Sequence, residues 1–234
     1  GNKQANLSIS DNITRTVHDL MLAGVGFDAT ISTYPHLENF DTLTTPNLPN
    51  GWSKYVQSSS TSSVVQSYTS TTAGIVYSTP NVIRLYASGS ADLALISPFL
   101  QNANANRVKF FARSSAANIP VSVGYIADPM DISTFTEINS FSLTTTHTEY
   151  IVSFAGIPAG NKMIAFRYNT ATSGTIYIDD VNFTVLPTTP EISYSPAALD
   201  LGDVFANSTT TQHINITNNG SQNLTVNWTL PNHI

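Results

Sequence analysis

The chain has 234 residues and no cysteine, which excludes a disulfide framework and a thiol nucleophile. Charge is scarce as well. Charged residues make up 10% of the chain, against roughly 25% in an ordinary soluble protein. Lys and Arg total nine, net charge is −6 and no basic run exists, so the electrostatic footprint of a nucleic-acid binder is missing. No apolar run approaches the roughly 20 residues of a membrane helix. The opening GNKQANLSIS has no signal-peptide pattern and reads as the middle of a longer protein. Helical periodicity is nearly absent.

In place of charge the surface takes Ser, Thr and Asn, while 41% hydrophobic residues suffice for a core. Thr is β-branched and suits a pleated surface, and a coat of hydroxyls and amides suits a secreted protein. Strand-like runs recur every dozen residues or so: NVIRLYAS, ADLALIS, RVKFFAR, IPVSVGYI, FTEINSFSL, TEYIVSF, KMIAFRYN and TIYIDDVNFTV. Turn-forming stretches such as NANANR, ADPMD and GIPAGN separate them. This cadence predicts an all-β chain built on a sandwich or barrel. Near the N-terminus, NLSIS and TVHDLMLAGVGF also read as strands. The prolines of LPTTPE, residues 186–191, predict a linker. Residues beyond it hold about four strands, short of the roughly seven of an immunoglobulin-like sandwich.

No catalytic constellation emerges. His18, His36, His147, His213 and His233 are scattered without metal-ligand spacing, and no G-x-S-x-G elbow exists. GVGF opens no helix and is not a phosphate loop. The expectation is a non-enzyme whose chemistry is recognition. Sugar-binding faces combine flat rings with amides and hydroxyls, which makes Tyr55, Tyr68, Tyr77 and Tyr86 candidates. Trp228 alternates with Val226 and Leu224 and is expected to be buried. Tyr55 and Tyr68 flank the Ser-rich QSSSTSSVVQSYTSTT, expected as a mobile surface loop, and are the ligand-binding residues selected.

One strand contains a puzzle. In TIYIDDVNF two carboxylates, Asp179 and Asp180, interrupt an apolar run, and strict alternation places one of them on the core side. With Val181 and Phe183 as core residues, Asp179 is the expected inward one. A plain solution is a carboxylate that caps a loop through backbone N–H groups or pairs with an Arg.

HLENFDT, LPNGW, NVIRL, ADLALISPFL, VSVGYIADPMDISTFTEI, TEYIVSF, KMIAFRY and IYIDDVNF follow one another through residues 36–185. In that order they resemble the cleaved-adhesin, or choice-of-anchor J, modules of secreted bacterial proteins. EISYSPAALDLGDVFANSTTTQHINITNNGSQNLTV is similar to the first half of an ASH or choice-of-anchor D repeat, and RTVHDLMLAGVGF to the last strand of one. The resemblance implies a MAM-like jelly-roll β-sandwich over 34–186, with Trp52 of LPNGW in its core, plus a partial immunoglobulin-like β-sandwich over 187–234. Residues 1–33 would supply terminal strands of such a repeat, able to complete it within one chain or between neighbours. It also implies a structural calcium ion where the first and last strands meet, with Glu38, Asp41, Asp179 and Asp180 as the ligand set. ADPMDIST, with Asp128 and Asp131, reads as a plain turn. The implied role is a non-catalytic accessory module, secreted or at the cell surface, that binds polysaccharide or cell-surface glycan. The alternatives are an adhesion module for a protein partner and a spacer without ligand. Expected partners include neighbouring modules of the parent chain, with no nucleic acid and no membrane insertion.

Overall fold

The computed structural model describes residues 2–10, 17–25, 29–196, 198–200, 202, 208–227 and 229, the first two stretches by their backbone. Trp228 lies outside them. The apolar alternation read from the sequence becomes two stacked antiparallel sheets. One has the order β10-β9-β12-β7-β4 and the other β11-β8-β13-β6-β5, with the short β3 beside β13. Their strands are β3 His36–Glu38, β4 Ser53–Ser58, β5 Val64–Thr69, β6 Asn81–Ala87, β7 Ala91–Leu100 and β8 Asn106–Ser114. The series continues with β9 Ile119–Ile126, β10 Phe135–Leu143, β11 Thr148–Ser153, β12 Lys162–Thr170 and β13 Gly174–Val185.

Between the sheets, alternate residues interdigitate as one core. Leu93 and Leu95 of β7, Ile164 and Phe166 of β12, Phe110 of β8, and Ile83 and Leu85 of β6 are wholly buried there. Phe110 is the hub. Its ring meets Phe166 edge-on at 5.0 Å and stacks with Tyr150 at 5.6 Å. Trp52 is 8% exposed and packs between Phe40 and Phe183, in the core as expected. Ile31 is buried as well and bridges to Leu100, so the packed unit begins before the first strand.

The terminal segments form separate two-stranded sheets. β1 Asn2–Ser10 pairs with β2 Val17–Val25, and β14 Ile192–Ser195 with β15 Asn215–Asn218. Among the described residues no ladder joins one pair to the other. The stretch 186–191 is tied down at two points. Leu186 donates its N–H to the Ala105 carbonyl, and Glu191 lies 2.8 Å from the Arg107 guanidinium.

Two expectations change. The Ser-rich segment 57–72 is not one loop, because Val65 and Ser67 point into the core and make its second half a strand. The step in β13 is larger. Ile176, Ile178, Val181 and Phe183 all belong to the core, a spacing of two, three and two. The extra residue is a β-bulge. The register against β8 slips between Asp179 and Asn182, and Asp180 takes a left-handed φ of 46°. Asp179 therefore lies on the outer face with Tyr177, not inward with Val181. At the same bulge β13 changes neighbours, from β6 along Gly174–Ile178 to β3 along Val181–Phe183.

Phe110→Ala removes the ring on which three aromatic contacts converge, and such truncations cost about 3–5 kcal/mol. Chemical denaturation should show a loss of that size, and a loss below about 1 kcal/mol would contradict the central placement of this ring.

Candidate functional site

The two outer faces of the sandwich differ. On the five-stranded sheet, Tyr55, Ala94, Arg167, Ser122 and Ser140 form one register row across all five strands. Gln57, Asp92 and Asn169 form the next row on one side. Ser53, Ile96, Ala165, Gly124 and Glu137 form the row on the other. The floor of this face is a small apolar cluster, in which Ala94, Ile96 and Ala165 are buried with Ile126 and Met163 beneath Tyr55, Ile132 and Phe135. Gly124 is required, since a Cβ there would collide with the Thr136 carbonyl oxygen and lie 2.8 Å from the Phe135 ring.

Above this floor stand Tyr55 and Arg167. The Arg167 guanidinium forms a two-point fork on Asp92, Nε to Oδ1 at 2.8 Å and Nη2 to Oδ2 at 2.6 Å. Its carbon lies 5.3 Å from the Phe135 ring centre. The Asp92 hydrogen bonds hold the guanidinium proton more firmly than usual. Such a fork fixes both groups in one plane and leaves their remaining polar edges at a set position. The Tyr55 hydroxyl donates to Gln57 Oε1 at 3.1 Å. A cavity of about 470 Å³ continues this face toward the sheet end, lined by Gln57, Ser58, Ser59, Ser90, Asp92 and Asn169. Its walls are hydroxyls, amides and one carboxylate. A larger cavity of about 610 Å³ lies near Thr42, Asn47 and Asn50, but its aromatic residue, Trp52, is the buried one.

The outer face of the six-stranded sheet is partly covered by the loop 70–80, which acts as a strap. Asp179 is fully buried beneath it. Its Oδ2 accepts the N–H groups of Tyr77 at 2.9 Å and Ser78 at 3.1 Å. Its Oδ1 accepts the Asp180 N–H at 2.9 Å and the Ser78 hydroxyl at 3.2 Å. The same hydroxyl lies 2.9 Å from Asp180 Oδ1. Tyr77 stacks on Phe111 at 3.6 Å, His147 Nε2 meets the Ile75 carbonyl at 3.1 Å, and Arg113 donates to the Gly74 carbonyl. Burial pushes the Asp179 carboxyl up to about 7, against the pull of three backbone N–H groups.

Tyr55 and Tyr68 thus do not share a site. Tyr55 lies on the five-stranded face and Tyr68 on the six-stranded one, because β4 and β5 belong to different sheets. The four acidic residues lie on neighbouring segments but bind different groups, Glu38 and Asp41 around Phe40 and Asn81, Asp179 and Asp180 around Ser78. Val181 of β13 pairs with Glu38 of β3, joining the first and last strands of the sandwich. Glu38 accepts the Phe40 N–H at 3.0 Å, and Asp41 the Asn81 N–H at 3.4 Å. Asn81 closes the corner, its amide donating to the carbonyls of Phe40, Asp41 and Leu43. Burial raises the Glu38 carboxyl, opposed by the Phe40 N–H. Among the described residues no three acidic or histidine side chains converge to hold a metal. Asp179 turns both oxygens to N–H and O–H donors, which fits a loop clasp rather than a cation ligand. In 128–134, Asp128 accepts the Met130 N–H and Asp131 the Ser133 N–H, as in a plain turn.

No protein-family profile and no curated protein matches the chain. Solved structures do. The K1 cleaved adhesin domain of Lys-gingipain from Porphyromonas gingivalis W83 matches at 18% identity and a TM-score of 0.52. The match covers 65% of this chain and 99% of that one. The K2 domain of the same protein matches at 18% and 0.53, over 65% of this chain and 98% of that one. The K3 domain matches at 18% and 0.52, over 64% and 98%. The sandwich is therefore a module of cleaved-adhesin fold, as its sequence resemblance implied.

Asp179 generates a pH prediction. Its folded value near 7 exceeds the ordinary 3.8, so the folded chain holds an extra proton between those limits. That stabilisation is complete below about pH 4 and is lost as pH rises through 7. Asp179→Asn cannot titrate and turns an amide NH2 toward backbone N–H donors, at a cost of roughly 1–3 kcal/mol. Melting from pH 4 to pH 8 should show a lower Tm for the variant and a flatter pH slope. An unchanged slope would remove Asp179 as the titrating group.

Proposed function

We propose that this module is a non-catalytic, extracellular carbohydrate-binding accessory domain of a secreted or surface protein, and that it takes polysaccharide on the outer face of the five-stranded sheet. The observation that carries the reading is the half-buried Tyr55 ring standing in register with the Asp92–Arg167 fork, packed on a small apolar cluster of the same face. A sugar ring has apolar C–H faces and a polar rim. The tyrosine supplies a flat apolar platform, and the fork, Gln57 and Asn169 supply fixed hydrogen-bond partners at its edge. The cleaved-adhesin fold adds the context of a surface module, and no helix among the described residues is long and apolar enough to cross a membrane.

Affinity gel retardation on a panel of soluble polysaccharides tests the reading. One polysaccharide class should retard the chain, and Tyr55→Ala should weaken that retardation at least tenfold, about 1.4 kcal/mol. Tyr68→Ala, on the opposite face, should leave it unchanged. No retardation across the panel, or equal loss from the two variants, would turn the search to a protein partner or a spacer role.

The structural calcium ion is a proposal of the same kind. It is supported by the resemblance and by the pairing of β3, which carries Glu38, with β13 next to Asp180, while Asp179 holds the strap. Calcium should raise the Tm over EDTA, and Asp41→Ala should abolish the rise. Identical melts of the parent chain in calcium and EDTA would eliminate the ion.

A further inference from the structure

The six-stranded face carries two guanidinium groups that have no carboxylate partner among the described residues. Gln66, Arg84, Tyr177 and Arg113 lie in one register row across β5, β6, β13 and β8. The Arg84 guanidinium lies 4.3 Å from the Tyr68 ring centre and 5.7 Å from that of Tyr86. The Arg113 guanidinium lies 5.8 Å from the Tyr177 ring, and Tyr68 and Tyr177 are 6.5 Å apart. These five side chains are half-buried, and Arg113 borders the strap at Gly74.

Among the described residues the ion pairs use Arg107, Lys109 and Arg167, never Arg84 or Arg113. The Nε atoms of Arg84 and Arg113 are buried and have no acceptor. Arg113 spends one Nη on the Gly74 carbonyl and lies 3.5 Å from that of Ser114. Arg84 makes ring contacts alone. Of the carboxylates on this face, Glu191 is taken by Arg107 and Lys109. Asp179 has both oxygens committed to the strap and its neighbours, and Glu149 sits opposite Phe111 on the edge strand without an ion pair to either arginine. A guanidinium stacked on a tyrosine is held in plane, and its free N–H edge matches the two oxygens of a carboxylate. Among the described residues neither half-buried guanidinium meets a carboxylate, so the arrangement favours an incoming oxyanion at their accessible edges.

We infer that this face is a second binding site, for a carboxylate-bearing saccharide, a uronate unit, whose carboxylate meets Arg84 and Arg113 while its ring lies against Tyr68 and Tyr177. The aromatic rings favour a sugar over a bare carboxylate, because they offer apolar area beside the charge. A net charge of −6 repels polyanions in general, so retention of one would report a local site. The site is on the opposite face from Tyr55 and does not rest on the reading above.

The test is affinity gel retardation in polygalacturonate and in alginate, with EDTA present, against fully methyl-esterified pectin. At least one polyuronate should retard the chain and the ester should not. Arg84→Gln should weaken retention at least tenfold, Arg84→Lys less, and Tyr55→Ala not at all, with the Tm of each arginine variant unchanged. The site would be overturned by no retention in either polyuronate, by equal retention in the ester, or by indifference to Arg84→Gln. Poly-glutamate displacing the chain as well as a polyuronate would overturn the sugar assignment, showing an acidic-peptide site instead. Loss in Tyr55→Ala with retention in Arg84→Gln would place uronate on the other face. That result would sink this inference and leave the first site standing.

Discussion

The buried Asp179 carboxylate organises the six-stranded side of the sandwich. A carboxylate with no exposed surface is unfavourable unless its oxygens are satisfied. Here the satisfaction comes from backbone N–H groups of a strap more than one hundred positions away in sequence. The clasp therefore binds a loop to a strand, and it does so on the side where a sheet would otherwise meet water. The Tyr77–Phe111 stack and the His147 and Arg113 contacts spread the attachment along the loop. His147 is pushed below its ordinary value, chiefly by burial. A neutral ring suits that covered position.

The bulge at Asp180 makes this possible. Without the extra residue, Val181 and Phe183 would face outward or Asp179 inward, and either choice would bury charge or expose core. One left-handed residue lets both ends of β13 face the core in phase. It also falls where β13 exchanges β6 for β3, beside the Asp179 side chain that receives the strap. Local backbone geometry, sheet topology and loop attachment are three consequences of the same inserted residue.

Most of the fold was legible because side-chain alternation and turn chemistry act locally. KMIAFRYN shows its strand in Ile164, Phe166 and Tyr168 on one face and Arg167 on the other, and the core keeps that division. The bulge was less legible, although the apolar positions 176, 178, 181 and 183 contain it as a single odd step. The site was legible in part. Tyr55 is recognisable as a ring in a polar setting, but its partners Asp92 and Arg167 lie 75 positions apart from each other and meet only through the β7–β12 ladder. No composition or motif signal reports such a pairing. Joining Tyr55 with Tyr68 failed for the same reason, since proximity in sequence says nothing about which sheet each strand enters.

The scarcity of charge gives the remaining charges more meaning. A surface of hydroxyls and amides has few counter-ions, so a guanidinium on it finds a carboxylate only where the ladder supplies one. Arg167 has Asp92 and Arg107 has Glu191, and in each case the partner is also a structural tie, across a sheet or between the sandwich and the segment beyond it. Among the described residues Arg84 stands outside this scheme, half-buried beside the Tyr68 and Tyr86 rings and without a carboxylate. A chain of ordinary charge density would dilute such a group among many alternatives. Here the low density isolates it, and the chemistry of a lone stacked guanidinium selects an oxyanion that comes from outside the chain.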